Sequence, residues 1–209
     1  MIKTITFVAA MLAAGTALAG DLPSKKTAPL PPVVERPAAE PADSITVTGG
    51  YEQSSASVDS YKGNFNWVHT LGAGFSVGAQ AETAQTPDTH VQKSLVEANA
   101  YYKLPIMAGV SLKAGVGVGE RFQTTNFAYY ALYGGADYAA TDKLTWNAVS
   151  YRYRNAFDTA NAFESHQVGT GVTYALTATT AVNAKVYRSF DNGWNKTADG
   201  VNIGYTVKF

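Results

Sequence analysis

From residue 44 to the last residue, apolar and polar positions alternate with a period of two. The alternation comes in segments of ~10 residues, the strand signature of a transmembrane barrel. The final segment shows it most clearly. Val201, Ile203, Tyr205, Val207 and Phe209 share one face, and Asn202, Gly204, Thr206 and Lys208 share the other. Farther back, Val110, Leu112, Ala114, Val116 and Val118 alternate with Ser111, Lys113, Gly115, Gly117 and Gly119. No stretch carries apolar residues at helical spacing for three turns. The pattern predicts strands over 44–54, 60–70, 73–84, 91–103, 109–122, 126–139, 143–155, 165–176, 180–190 and 200–209.

The connections fall into two alternating sets. Short ones are predicted around Leu71-Gly72 and over 105–109, 141–143 and 177–180. Longer polar ones cover 54–60, 85–90, 123–126, 158–165 and 191–199, and Pro87 and Pro105 fall within connections. Alternating short and long turns on an even strand count predict an all-β fold, a transmembrane antiparallel up-and-down β-barrel. The count is about ten strands, with eight as the alternative.

The two faces differ in chemistry. Gly74, Gly78, Gly115, Gly117, Gly119, Gly135, Gly169, Gly171 and Gly204 share the polar face. A soluble sandwich would gain nothing from glycines on its wet face, whereas a narrow barrel needs small interior residues beside large ones. The same face collects Glu52, Lys62, Glu82, Lys93, Glu97, Lys113, Arg121, Asp137, Arg152, Arg154 and Lys185. Charges facing lipid would cost roughly 2–4 kcal/mol each at the midplane, so this face is predicted to line the lumen. Trp67, Tyr102, Tyr130, Tyr138, Tyr151, Tyr153 and Tyr174 then face outward near strand ends, as girdle residues do. Strict parity turns Trp146 inward unless a bulge shifts the register there.

Composition changes the picture at the N-terminus. Lys3, an apolar run over 5–14 and Ala17-Leu18-Ala19 match a secretory signal peptide cleaved after Ala19. The run is well short of the ~20 residues of a membrane-spanning helix. Asp21 stands where a lipoprotein would carry cysteine. The domains read as a signal peptide (1–19), a proline-rich tether (20–43) and a barrel (44–209). The tether holds six of the eight prolines and reads as an extended, unpacked spacer. Lys plus Arg and Asp plus Glu are each 16, which leaves no basic excess for nucleic acid. The chain has no cysteine, hence no disulfide and no thiolate chemistry.

A signal peptide, a proline-rich start and an alternating last strand with a terminal Phe resemble small Gram-negative outer-membrane β-barrel proteins of the OmpA-type and porin-like group. The resemblance implies an outer-membrane location with a periplasmic N-terminus. It also implies a last strand read by the barrel-assembly machinery, with Tyr205, Val207 and Phe209 as the signal residues. Val207 stands where that family often has an aromatic. The lipid bilayer and the assembly machinery are the implied partners, and a monomer is expected.

Catalytic patterns are weak, and no enzyme activity, cofactor or metal is expected. Asp88-Thr89-His90 resembles the Asp-x-His pair of outer-membrane proteases but lacks the second acidic pair those enzymes use. Glu164-Ser165-His166 resembles part of a lipid A deacylase site, yet Val168 occupies the position of its serine. Both read better as polar loop ends. The candidate site is therefore the lumen cluster of Glu52, Lys62, Glu82, Glu97, Lys113, Arg121, Asp137, Arg152, Arg154 and Lys185. It reads either as a salt-bridge network that fills the barrel or as a narrow, anion-favouring constriction for small polar solutes. Contact with a surface partner through the outer loops is the alternative, with Asn192-Gly193-Trp194-Asn195 as its best segment.

Overall fold

The computed structural model describes residues 43–56, 58–87, 91–161 and 165–209. Ala17, Ala19 and the tether up to residue 42 lie outside them, as do Asp88-Thr89-His90 and Glu164. The described residues form ten strands: β1 (Asp43–Ser54), β2 (Asp59–Gly72), β3 (Phe75–Thr86), β4 (Val91–Met107), β5 (Val110–Phe122), β6 (Phe127–Ala139), β7 (Leu144–Ala156), β8 (Ser165–Ala175), β9 (Thr180–Phe190) and β10 (Lys196–Lys208). Each strand pairs antiparallel with its sequence neighbours, and β1 pairs with β10, so the sheet closes on itself. Asp43 and Phe209 exchange backbone hydrogen bonds of 3.0 and 2.9 Å, which seals the seam at the end of the barrel. Closure leaves no unpaired edge, the condition for crossing a membrane with strands.

The ten-strand prediction holds, and the polar face is the lumen. The outer wall exposes Val47, Val116, Val118, Val186, Ile203 and some two dozen further large apolar side chains. A soluble domain would not leave an apolar surface of that extent open to water. Aromatic rings cluster toward both rims of that wall. Tyr102, Tyr138 and Tyr174 sit at the short-turn end, and Tyr61, Phe122, Phe157 and Trp194 sit at the loop end.

Four positions differ from the sequence pattern, each for a local reason. Trp146 points outward, because β7 carries a bulge between Asn147 and Ser150 that resets the alternation. Its indole N–H donates to the outward Thr170 hydroxyl at 3.1 Å. Pro105 lies inside β4 rather than in a connection. Pairing with β3 ends at Phe75↔Tyr102, so Pro105 sits in an overhang that has only β5 beside it and needs no amide donor on the other side. Gly74 is a turn residue with φ +85°, not a lumen position. A Cβ there would press on the Lys103 carbonyl oxygen, so the turn requires glycine. Finally, β10 starts at Lys196, four residues before the predicted start, which shortens the last loop to 191–195.

The remaining lumen glycines have a common geometric role. Gly115 lies opposite Tyr101, Gly119 opposite Tyr129, Gly171 opposite Lys185 and Gly200 opposite Tyr187. A Cβ at each would meet a side-chain or backbone atom of the residue opposite, or of its neighbour, closer than any real contact. Small residues thus make the room that the large interior side chains occupy.

Candidate functional site

Period-two alternation brings all ten predicted lumen residues to the interior. They do not form one cluster. Glu52, Lys62, Glu82, Glu97, Arg121, Arg152 and Arg154 lie in the loop half of the barrel, while Lys113 and Asp137 lie near the short turns. Lys185 sits between them on β9.

The loop-half group is built around Glu97 on β4. Its side chain is fully shielded from solvent, and so is nearly all of Arg154 on β7. Arg154 Nε donates to Glu97 Oε2 at 3.1 Å, and the Tyr129 hydroxyl donates to the same oxygen at 3.0 Å. The Tyr133 hydroxyl donates to Oε1. Three donors on one carboxylate offset the cost of burying the charge, as a buried ion pair requires. The Arg154 guanidinium also rests 5.4 Å from the centre of the Tyr129 ring. Glu82 on β3 extends the network, with Arg154 at 3.7 Å and Arg152 at 3.8 Å, and Arg121 within electrostatic reach.

A second pair faces this group. Lys62 Nζ lies 2.6 Å from Glu52 Oε2, and the Tyr187 hydroxyl donates to the same oxygen at 3.0 Å. Nearer the short turns, Lys113 Nζ lies 2.5 Å from Asp137 Oδ2, and Asn147 donates to Asp137 Oδ1 at 2.7 Å. The bulge that turns Trp146 outward is also what brings Asn147 inward to that carboxylate.

Two cavities lie along the lumen. The one toward the loops has a volume of about 380 Å³ and is bordered by Glu52, Lys93, Arg121 and Arg154. The inner one has about 290 Å³ and is bordered by Tyr101, Lys113, Tyr133, Gln167, Lys185 and Asn202. Lys62, Glu82 and Arg152 line both cavities, so they mark the boundary between them. Asn66, Asn99 and Asn202 also carry buried amide atoms with no protein partner. Buried polar atoms of that kind are met by water.

Four lumen tyrosines, Tyr101, Tyr129, Tyr133 and Tyr187, join the site beyond the predicted charges, and strand parity places them inward. Tyr129 and Tyr133 precede Asp137 at even spacing, and Tyr187 follows Lys185 by two. Of the loop motifs, His166 faces outward. Its ring stacks on Trp194 with centroids 4.5 Å apart, and its Nδ1 shares a 2.7 Å hydrogen bond with the Tyr151 hydroxyl. That position suits a girdle residue. Tyr205 and Val207 face the outer wall on β10, and Phe209 closes the seam with Asp43.

No protein-family model matches the sequence, and no curated protein matches it. Among solved structures, the β domain of the Bordetella autotransporter BrkA superposes with a TM-score of 0.51 at 8% identity, over 80% of this chain and 98% of that one. The NanC porin aligns at 16% identity and TM-score 0.48, over 79% of this chain and all of that one. The KdgM porin aligns at 14% identity and TM-score 0.43, over 78% of this chain and 99% of that one. At such identities the likeness is one of fold. The closed ten-strand antiparallel barrel and its apolar outer wall define a transmembrane up-and-down β-barrel.

Proposed function

We propose that the protein is an outer-membrane barrel whose interior is a narrow, hydrated, passive path for small polar solutes. The observation that carries this reading is the pair of lumen cavities meeting at Lys62, Glu82 and Arg152. A barrel plugged by side chains along its whole length would leave no room for two such spaces. The boundary trio acts as the narrowest ring, and its charges set which solutes pass. No catalytic step is assigned to the barrel.

The short turns and both ends of the described chain lie at one end of the barrel, which we place in the periplasm, with the N-terminal tether there. The last strand, with Tyr205, Val207 and Phe209 on its outer edge, serves as the assembly signal. A surface-binding role has less support, because the described loops are short: 123–126 and 191–195 span four and five residues.

Planar-bilayer recording of the refolded protein tests the proposal. Discrete conductance steps are expected, and Arg152→Ala should enlarge them by opening the ring. A silent bilayer, with folding confirmed by heat-modifiable electrophoretic mobility and insertion confirmed by protease protection, would make the protein a closed structural barrel.

A further inference from the structure

The inner cavity, like the outer one, is bordered by more cations than carboxylates, and one of its cations has no carboxylate partner. Four cations border it, Lys62, Lys113, Arg152 and Lys185, against one carboxylate, Glu82. Lys62 is neutralised by Glu52 at 2.6 Å, and Lys113 by Asp137 at 2.5 Å. Glu82 is shared between Arg152 and Arg154 at 3.8 and 3.7 Å, and the Arg152 Nε has no hydrogen-bond partner. Lys185 makes no ion pair or hydrogen bond among the described residues, and the charged group that acts on it is Arg152. Its stem is held flat across a glycine floor. A Cβ on Gly169 would fall 2.7 Å from the Lys185 Cε, and one on Gly171 would fall 3.2 Å from the Lys185 Cβ. The fold therefore keeps a cation in a confined space and supplies no carboxylate to meet it, an arrangement that is costly unless an anion arrives from solution.

We propose that the inner cavity is a binding site for a small oxyanion, a carboxylate or a phosphate, held between Lys185 and Arg152. At about 290 Å³ it has the room of about ten water molecules, enough for a small solute and too little for a polymer segment of any length. Gln167 and Asn202 on neighbouring strands border the same space and can meet the remaining oxygens or hydroxyls of the ligand. The inference deepens the channel reading and rests on it for its physiological meaning, because the site would then concentrate anions at mid-path.

The test is titration of the refolded full-length protein with inorganic phosphate, followed by calorimetry, on four proteins: wild type, Lys185→Gln, Lys185→Arg and the outer-wall variant Arg188→Gln. Folding of each is confirmed by heat-modifiable mobility. Saturable binding is expected in wild type, kept in Lys185→Arg and Arg188→Gln, and weakened at least fivefold in Lys185→Gln. No saturable binding to the wild type, or equal binding to Lys185→Gln, overturns the site. Bilayer recording separates the two readings. Phosphate binding with a silent bilayer sustains the site and removes the channel. Conductance steps without phosphate binding sustain the channel and remove the site.

Discussion

The two walls of the lumen follow the same alternating pattern and end in opposite electrostatic states. On the β4–β7 side, Glu97 and Arg154 are buried against each other and saturated by Tyr129 and Tyr133. On the β8–β9 side, Lys185 lies over Gly169 and Gly171 with no carboxylate opposite it. The first wall joins three strands, β4, β6 and β7, through charge and aromatic packing and holds the barrel's shape. The second leaves space and a free charge, at some cost in stability, and is where a solute has something to bind. The same residue types serve both ends, and the presence or absence of a matching carboxylate decides which.

The sharpest way to break the comparison is to remove the carboxylate of the closed wall. Glu97→Ala strands Arg154 in a buried site with only the more distant Glu82 left, and breaking such pairs costs about 3–5 kcal/mol. Urea unfolding of the refolded barrel in lipid vesicles should show a midpoint far below that of the wild type. An unchanged midpoint would mean that the network does not hold the wall together.

Gly117→Ala probes the same wall without deleting a charge. The added Cβ would lie 2.7 Å from Glu97 Oε1 and 3.0 Å from its Cδ, so the carboxylate must move off its three donors. Overpacking of this kind costs about 1–3 kcal/mol, and the same unfolding curves measure it.

Lys185→Gln should do the reverse on the open wall. It removes an unpaired cation from a confined site, so unfolding should shift by no more than about 0.5 kcal/mol, or toward greater stability. A loss as large as that of Glu97→Ala would show that Lys185 has a structural partner and that the walls do not differ as described.

The smallest effect belongs to the last loop, outside the strands. Asp191 accepts the Asn195 backbone N–H at 2.8 Å and its side-chain amide at 3.0 Å, which holds its carboxyl below the usual carboxylate range. A carboxyl depressed in the folded state adds stability above its unfolded pKa, and that contribution disappears as pH falls through the folded value. Trp194 donates its backbone N–H to the Asp191 carbonyl at 3.1 Å, so the part of its fluorescence change that depends on the Asp191 carboxyl should appear only where the medium is more acidic than the ordinary aspartate range. In Asp191→Asn the low-pH change should vanish. An identical acid transition in that variant would locate the titrating group elsewhere.

Much of the architecture was legible in the chain itself. Strand number, the inward face, the alternation of short and long connections and the inward position of all ten candidate charges follow from the pleat of a strand, which sends successive side chains to opposite sides whatever lies next to them. The lumen glycines were legible for the same reason, because a narrow interior has to set small residues beside large ones. Tertiary structure decided the rest. Glu97 and Arg154 are 57 positions apart, and Tyr187 and Glu52 are 135 apart. Which charges meet depends on how far each strand slides past the next when the barrel closes, a quantity no local pattern records. The bulge on β7 and the overhang at Pro105 likewise belong to the pairing of strands with their neighbours. They turn Trp146 toward lipid, bring Asn147 to Asp137 and give a proline a place inside a strand. Local periodicity determined which side of the wall each residue faces, and closure alone determined which residues share the interior and which of them is left without a partner.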